Sequence, residues 1–147
     1  MKRACLGPVL LALSLLAVAA LVAGESRGQA PDAWQWRNPL PQGNPLRGIV
    51  HGDATFVAVG DAGAVVTSDD GGATWVRRPP PRDANLGDVA FAAGAGTFVV
   101  VGAGGALLRS EDAGRTWSRR TTPRDVDWLA VAWGNGTFVA VGAGGAV

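Results

Sequence analysis

The chain has 147 residues, and its 13 basic and 12 acidic side chains leave a formal net charge of only +1. Such a balanced chain has no overall positive field, which argues against nucleic acid as a partner. One cysteine and one histidine are too few for a zinc site or a disulfide framework. The composition therefore predicts no metal site, no cofactor and no nucleic-acid partner.

The first 24 residues read as a secretory signal peptide. Lys2 and Arg3 precede an apolar run that contains no charge up to residue 24, and small residues offer cleavage positions after residue 24 or as late as residue 30. We therefore expect a secreted, periplasmic or cell-surface protein without stable membrane insertion once the signal is cleaved. The alternative is an uncleaved anchor, because residues 4–24 are long enough to span a bilayer marginally.

Residues 25–33 are predicted to be a linker, and residues 34–43 an extended strand. Trp36 is followed by prolines, in the same order as Trp75 and Trp117 farther along the chain. Residues 34–43 thus look like the outermost strand of a later repeat, without a sheet of their own. We interpret them as an orphan outer strand.

The rest of the chain is a repeat. Thr55 to Gly60 recurs as Thr97 to Gly102 and as Thr137 to Gly142, and the longer repeat returns after 42 residues. A four-stranded propeller blade needs about 40–45 residues, so this period predicts an all-β propeller of four-stranded antiparallel blades. We assign blade one to residues 44–83, blade two to 84–125 and an incomplete blade three to 126–147, an arc of two to three blades.

Short apolar runs between turn signals place the strands. The runs at 56–59 and its repeats are apolar on both faces, so we expect the alternate valines to be buried between blades and His51 to lie in the turn after the first strand. The predicted strands are 46–50, 55–60, 64–68 and 74–78, then 86–92, 97–101, 106–110 and 116–120, then 128–133, 137–141 and a start at 145–147. The valines expected to be buried are Val57, Val59, Val99, Val101, Val139 and Val141.

An eight-residue box occurs twice, from Ser68 to Trp75 and from Ser110 to Trp117, and both copies read S-x-D-x-G-x-T-W. Each box lies between two predicted strands and should be a hairpin loop. Its aspartate can accept bonds from loop amides, its glycine supplies unusual backbone angles and its tryptophan can cover the loop. A calcium loop is the functional alternative, but the further oxygen ligands are missing. We interpret ten box residues as structural: Ser68, Asp70, Gly72, Thr74, Trp75, Ser110, Asp112, Gly114, Thr116 and Trp117.

S-x-D-x-G-x-T-W resembles the Asp-box, or bacterial neuraminidase repeat, of sialidases, sortilin-type receptors, some xyloglucan-cleaving glycosidases and photosystem II stability/assembly factors. The resemblance covers residues 34–147. It implies a propeller with the boxes on its outer rim, away from any catalytic face. It does not fix a function, because the family contains both enzymes and non-enzymes.

No catalytic constellation is visible. The glycine-rich pieces at 102–105 and 142–145 lack the lysine of a phosphate loop. The chain has no tyrosine for a sialidase nucleophile, and Arg47 has no matching arginine at Gly87 or Leu129. Arginine pairs at 77–78 and 119–120 can form a basic stripe for acidic partners, or can simply protect an exposed strand edge.

Three functions remain open at this point. The first is an exported, non-enzymatic binding or scaffold module with a protein or glycan ligand. The second is the N-terminal part of a secreted, sialidase-like glycoside hydrolase with catalytic residues beyond residue 147. The third is a protein like the photosystem II assembly factors. Because blade three stops inside its third strand, we also expect these residues to be a piece of a longer propeller with an exposed apolar end.

Overall fold

A computed structural model of the protein describes residues 43–147. The predicted signal peptide, the linker and nearly all of the orphan outer strand lie outside these residues. The described chain is almost entirely β-structure, and its antiparallel sheets match a partial β-propeller blade arrangement. Two short 3-10 turns, Asp61–Gly63 and Ala143–Gly145, are its only helical segments, so no helix in residues 43–147 is long enough to cross a membrane.

The strands form three antiparallel sheets in chain order. Each complete sheet has four strands, of which the fourth has only two residues. The first sheet contains β1 (Leu46–Gly52), β2 (Thr55–Gly60), β3 (Val65–Ser68) and β4 (Val76–Arg77). The second contains β5 (Leu86–Ala92), β6 (Thr97–Gly102), β7 (Ala106–Ser110) and β8 (Ser118–Arg119). The third contains β9 (Trp128–Gly134) and β10 (Thr137–Gly142), and a single bridge from Gly142 to Ala146 extends it.

The first strand of every sheet carries a bulge at the same place. The register shifts between Leu46 and Gly48 in β1 and between Leu86 and Asp88 in β5, and it shifts again opposite Leu129 in β9. A bulge leaves one residue out of the ladder and changes the direction of its side chain. The three bulged residues are Arg47, Gly87 and Leu129.

The sheets pack face to face, and β5 contacts both β1 and β9, so these three are the innermost strands. Between the first and second sheets lies a core that includes Val57, Val59, Leu86, Phe98 and Trp117. A second core, with Val101, Trp128 and Val131 among its members, lies between the second and third sheets. The apolar run of β6 is therefore buried on both faces, since Phe98 and Val100 belong to the first core and Val99 and Val101 to the second, as a stacked strand requires. β2 contributes Val57 and Val59 to the first core.

Hydrogen bonds at the ends of the strands join each sheet to the next. The amide of Ala62 donates to Asn85 Oδ1 at 3.0 Å, and one repeat later the amide of Gly104 donates to Asp127 Oδ1 at 2.8 Å. The turn after the second strand of one sheet is thus held by the residue that leads into the next sheet. Gly105 allows this close approach, because a Cβ there would lie 2.8 Å from Oδ1 and 3.2 Å from the Cα of Asp125.

Two burial predictions fail on the third sheet. Val139 is 48% exposed and Val141 44%, whereas the equivalent Val99 and Val101 of β6 are 6% and 0% exposed. These side chains lie on the face of β10 that points away from the second sheet, and no described residue packs there as the third sheet packs on β6. The prediction that these valines are buried assumed a further blade packed against β10. Their exposure agrees with the separate expectation that this arc of blades has an exposed apolar end.

The prediction for His51 is also wrong. β1 continues to Gly52, so His51 lies within the strand, with its ring 4.5 Å from that of Phe56. The same pairing recurs between Phe91 and Phe98 and between Trp133 and Phe138, with ring centroids 4.6 and 4.5 Å apart. His51 therefore holds an aromatic position of the repeat, and β1 extends beyond the predicted end at residue 50 to Gly52.

Candidate functional site

The first box closes on itself through its aspartate. Asp70 Oδ1 accepts bonds from the Ser68 hydroxyl and the Thr74 amide, both at 2.8 Å, and Oδ2 accepts from the Thr74 hydroxyl at 2.6 Å. The Ser68 hydroxyl oxygen accepts the amide of Gly72 at 2.8 Å, and Trp75 Nε1 donates to the Gly72 carbonyl at 3.2 Å. Every polar group that the pattern specifies is thus used inside the loop.

The second box repeats these bonds. Asp112 accepts from the Ser110 hydroxyl at 2.8 Å and from the amide and hydroxyl of Thr116 at 2.8 and 2.6 Å. The Gly114 amide donates to the Ser110 hydroxyl oxygen at 2.9 Å, and Trp117 Nε1 donates to the Gly114 carbonyl at 3.0 Å. Two loops with different residues at the x positions reach one geometry, so the geometry does not depend on the identity of those residues.

The same bonds favour the ionised aspartates. Hydrogen bonds from the Thr74 hydroxyl and amide, followed by that from Ser68, lower the pKa of Asp70 to about 2. Desolvation is the largest single influence on Asp112 and acts to raise its pKa, but the bonds from Thr116 and Ser110 together outweigh it and lower that pKa to about 2 as well. Both carboxylates are charged at neutral pH and have donors committed to them, a state that suits a structural role.

The two boxes differ in what surrounds them. Trp117 is buried in the core between the first two sheets, whereas Trp75 is only half-buried. Gly114 lies against the first sheet, since a Cβ there would come within 3.1 Å of methyl groups of Val57 and Thr67. At Gly72 the only such neighbour is its own Trp75, at 3.9 Å. The second box therefore seats on the preceding sheet, and the first has no described sheet to seat on.

A cavity of about 320 Å³ opens where the innermost strands begin, and we call it the axial cleft. All three bulged residues line it, so each sheet contributes one residue that the bulge has released from the ladder, and Arg47 and Leu129 contribute side chains. Sequence comparison of the repeats had matched Arg47 with Gly87 and Leu129, and the structure brings these three positions together. Its lining also includes Asn85, Leu86, Ala103, Asp127 and Trp128.

The polar groups of the axial cleft are partly engaged. Arg47 pairs with Asp61, with 2.9 Å between Nη2 and Oδ2, and this hydrogen bond lowers the pKa of the aspartate. Asn85 and Asp127 each accept an amide with one side-chain oxygen. Trp128 Nε1 is buried without a hydrogen-bond partner. The cleft thus combines a partly exposed guanidinium with an amide, a carboxylate and apolar wall, a mixture suited to binding.

Sequence reasoning missed Asn85 and Asp127, which join the sheets and line the axial cleft. The signal available was the Pro-Arg-Asp repeat just before them, at 81–83 and 123–125. Arg82 from this repeat donates to the carbonyl of Gly104 at 3.2 Å. The segment between blades is therefore a fixed part of the structure.

The arginine pairs do not behave alike. Arg77, Arg119 and Arg120 are exposed, whereas Arg78 is half-buried and donates from Nε to Thr67 Oγ1 at 3.2 Å. Within residues 43–147 no group of three or more His, Cys, Asp or Glu side chains could hold a metal ion. The axial cleft and the box loops are thus the candidate sites of this part of the chain.

A scan against protein-family models finds no match, and neither does a search of curated proteins. Among solved structures, YCF48 from Cyanidioschyzon merolae is similar to this chain, with a TM-score of 0.61 and 29% sequence identity. The match covers 73% of this chain and 34% of YCF48, so the chain spans about a third of that protein's length. This likeness supports a β-propeller-like repeat fold.

Proposed function

We propose that this chain is an exported, non-enzymatic propeller module whose boxes are structural Asp-boxes and whose axial cleft binds a protein or glycan ligand. The observation that carries the proposal is that the box loops and the axial cleft differ in whether their functional groups are already used within the fold. The box carboxylates accept hydrogen bonds from their own loops, at 2.6–3.0 Å in the first box, and are committed there. The axial cleft instead presents three bulged residues that take no part in the strand ladders, and two of them, Arg47 and Leu129, carry side chains.

The ligand would approach where these three bulged residues meet. Arg47 offers a guanidinium that is about half exposed, with its pairing to Asp61 on one side. Leu129 is 62% exposed and adds an apolar contact. Gly87 packs closely on the third sheet, because a Cβ there would lie 3.1 Å from the carbonyl oxygens of Trp128 and Leu129. An arginine beside an apolar wall suits a ligand that joins an acidic group to an apolar or sugar face.

Binding is tested with 3′-sialyllactose, which carries a carboxylate, and with a xyloglucan oligosaccharide, which does not. We expect Arg47→Ala to weaken binding of whichever probe the cleft accepts, because the guanidinium is lost. Arg119→Ala is the matched control, since Arg119 is exposed on β8, outside the cleft. Equal effects of the two variants would place the ligand elsewhere.

The absence of catalysis is tested on the same two sugars. Turnover of either by the purified chain would contradict the non-enzymatic proposal and would favour the glycoside hydrolase alternative. Export is tested separately by N-terminal sequencing of the protein recovered outside the cytoplasm. We expect the mature chain to begin after residue 24, or as late as after residue 30; a retained Met1 would contradict cleavage.

The likeness to YCF48 favours a second candidate. The box pattern also resembles that of photosystem II stability/assembly factors, so this chain can instead be a module that assists assembly of a membrane complex. Copurification of the chain with a photosynthetic membrane complex from its source would support this candidate. A non-photosynthetic source would end it.

A further inference from the structure

Asp88 is a half-buried acidic residue that directly follows the bulged Gly87 on β5. It is not among the residues that line the axial cleft. Both of its carboxylate oxygens accept backbone amides, Oδ1 that of Val89 at 2.9 Å and Oδ2 that of Val131 at 3.0 Å. Val89 is the next residue of β5, whereas Val131 belongs to β9 and lies 43 residues away in the chain. One carboxylate therefore joins the innermost strands of the second and third sheets.

The two amides that Asp88 binds lie on open strand edges. β5 and β9 each pair with a neighbouring strand on one side only, so the ladders leave the amides of the other edge without a partner. A backbone amide that is turned away from water needs an acceptor, and Asp88 supplies one to each strand. The carboxylate thus provides a bond between blades at a place where strand pairing provides none.

The first sheet packs against the same aspartate. Gly48 of β1 lies so close that a Cβ there would come within 3.0 Å of both the Cα and Oδ1 of Asp88. Gly48, Asp88 and Ala130 hold equivalent positions, since each directly follows the bulged residue of its strand. Of these three residues, Asp88 alone has a carboxylate. That carboxylate therefore lies where β1, β5 and β9 meet.

The bulged residue of every sheet is close in the chain to a residue that Asp88 contacts, or to Asp88 itself. Arg47 directly precedes Gly48, and Leu129 is two residues before Val131. We propose that Asp88 is a positioning residue for the axial cleft, because its carboxylate fixes where the three bulged residues lie relative to one another. Its effect on binding rests on the ligand site proposed above, whereas the placement itself does not need a ligand.

The placement is tested first without a ligand. Asp88→Ala removes both acceptor oxygens, and Asp83→Ala is the matched control, because Asp83 is an exposed aspartate outside the axial cleft. In the NMR spectrum of the isotope-labelled chain, we expect Asp88→Ala to shift the amide resonances of Gly48 and Val131, which belong to the first and third sheets. Hydrogen exchange at Val131 should become about tenfold faster. Asp83→Ala should change neither. An unchanged Val131 amide, or shifts confined to β5, would overturn the proposal.

Binding is then measured with 3′-sialyllactose and with the xyloglucan oligosaccharide. We expect Asp88→Ala to weaken binding of the accepted sugar about tenfold, because a binding site loses affinity when its contact groups are held loosely. Asp88→Asn keeps one acceptor oxygen and should fall between the wild type and Asp88→Ala. Gly72→Ala controls for lost stability, since it strains the first box and leaves the inner strands intact. It should not change the affinity at a temperature where every variant is folded.

The results separate the positioning role from the ligand site. If the wild type binds neither sugar, the ligand site fails, and the spectra and the exchange rates still support or overturn the placement. If a sugar binds and Asp88→Ala leaves its affinity unchanged, the positioning role is wrong. Stronger binding of the anionic sugar alone would also overturn it, because that result reports the loss of a negative charge. An equal loss of affinity in Gly72→Ala would assign the effect to stability and would contradict the proposal.

Discussion

The two boxes make the same internal hydrogen bonds but have different surroundings. In both, a carboxylate accepts from a serine and a threonine hydroxyl, and an indole N–H donates to the glycine carbonyl. Among residues 43–147, only the second box lies against a preceding sheet, with Gly114 buried and Trp117 in the core. The comparison separates two contributions to the stability of a box, the hydrogen bonds that close the loop and the packing of the loop between blades. The box sequence is the same for both contributions and does not distinguish them.

The largest difference is expected for the tryptophans. Trp117→Ala should lower the free energy of unfolding by about 3–5 kcal/mol, the usual cost of removing a large buried ring. Trp75→Ala should cost clearly less, because Trp75 is half-buried at the end of the described arc. Urea denaturation of both variants measures the two losses. Equal losses would mean that packing between the sheets adds nothing to the second box.

The glycines should differ next. Both Gly72 and Gly114 have a positive φ, +85° and +76°, so alanine is strained at either site. At Gly114 the new methyl would also press on Val57 and Thr67, which adds about 1–3 kcal/mol of overpacking. Thermal unfolding should therefore show a larger fall in Tm for Gly114→Ala than for Gly72→Ala. The reverse order would place the second box off the first sheet.

Acid should affect the two boxes alike. Folding lowers the pKa values of Asp70 and Asp112 from 3.8 to about 2. As the pH falls, these aspartates are therefore protonated at a higher pH in the unfolded chain than in the folded one. Stability from these groups is present above about pH 4 and is lost as the pH falls towards 2. Asp70→Asn and Asp112→Asn together should flatten the dependence of Tm on pH in this window. A slope retained in the double variant would assign it to other carboxylates.

The smallest effect is expected for the contact between the boxes. Arg115 Nη2 lies 3.5 Å from Asp69 Oδ2, and both side chains are about half exposed. A double-mutant cycle with Arg115→Ala and Asp69→Ala should give a coupling of about 0–1 kcal/mol that salt weakens. A larger coupling would show that this ion pair, and not the buried tryptophan, fixes the second box against the first.

The fold could be predicted because its signals are local and repeated. The period, the turn glycines and the apolar runs each act within one blade, and together they give the sheet order and most strand ends. Burial at Val139 and Val141 could not be predicted, because it depends on a neighbouring sheet. The bulges were missed for a related reason, since no residue type marks them: arginine, glycine and leucine occupy the same position.

The axial cleft was only half visible in the sequence. Arg47 attracted attention because it is a charged residue beside an inner strand. Asn85 and Asp127 did not, because their roles depend on amides 23 residues away in the chain. Bonds of this kind form between one blade and the next, so they cannot be predicted from the sequence of a single repeat.

The bulge gives this architecture a means of diversification. The residues around the bulge form the strands of the blade and repeat with little change, whereas the bulged residue itself does not pair with the neighbouring strand. A propeller can therefore change the bulged residue of each blade and so form a different binding surface, without changing the strand pairing that holds the blade together. Arginine, glycine and leucine occupy this one position in the three described sheets, and all three residues line the axial cleft.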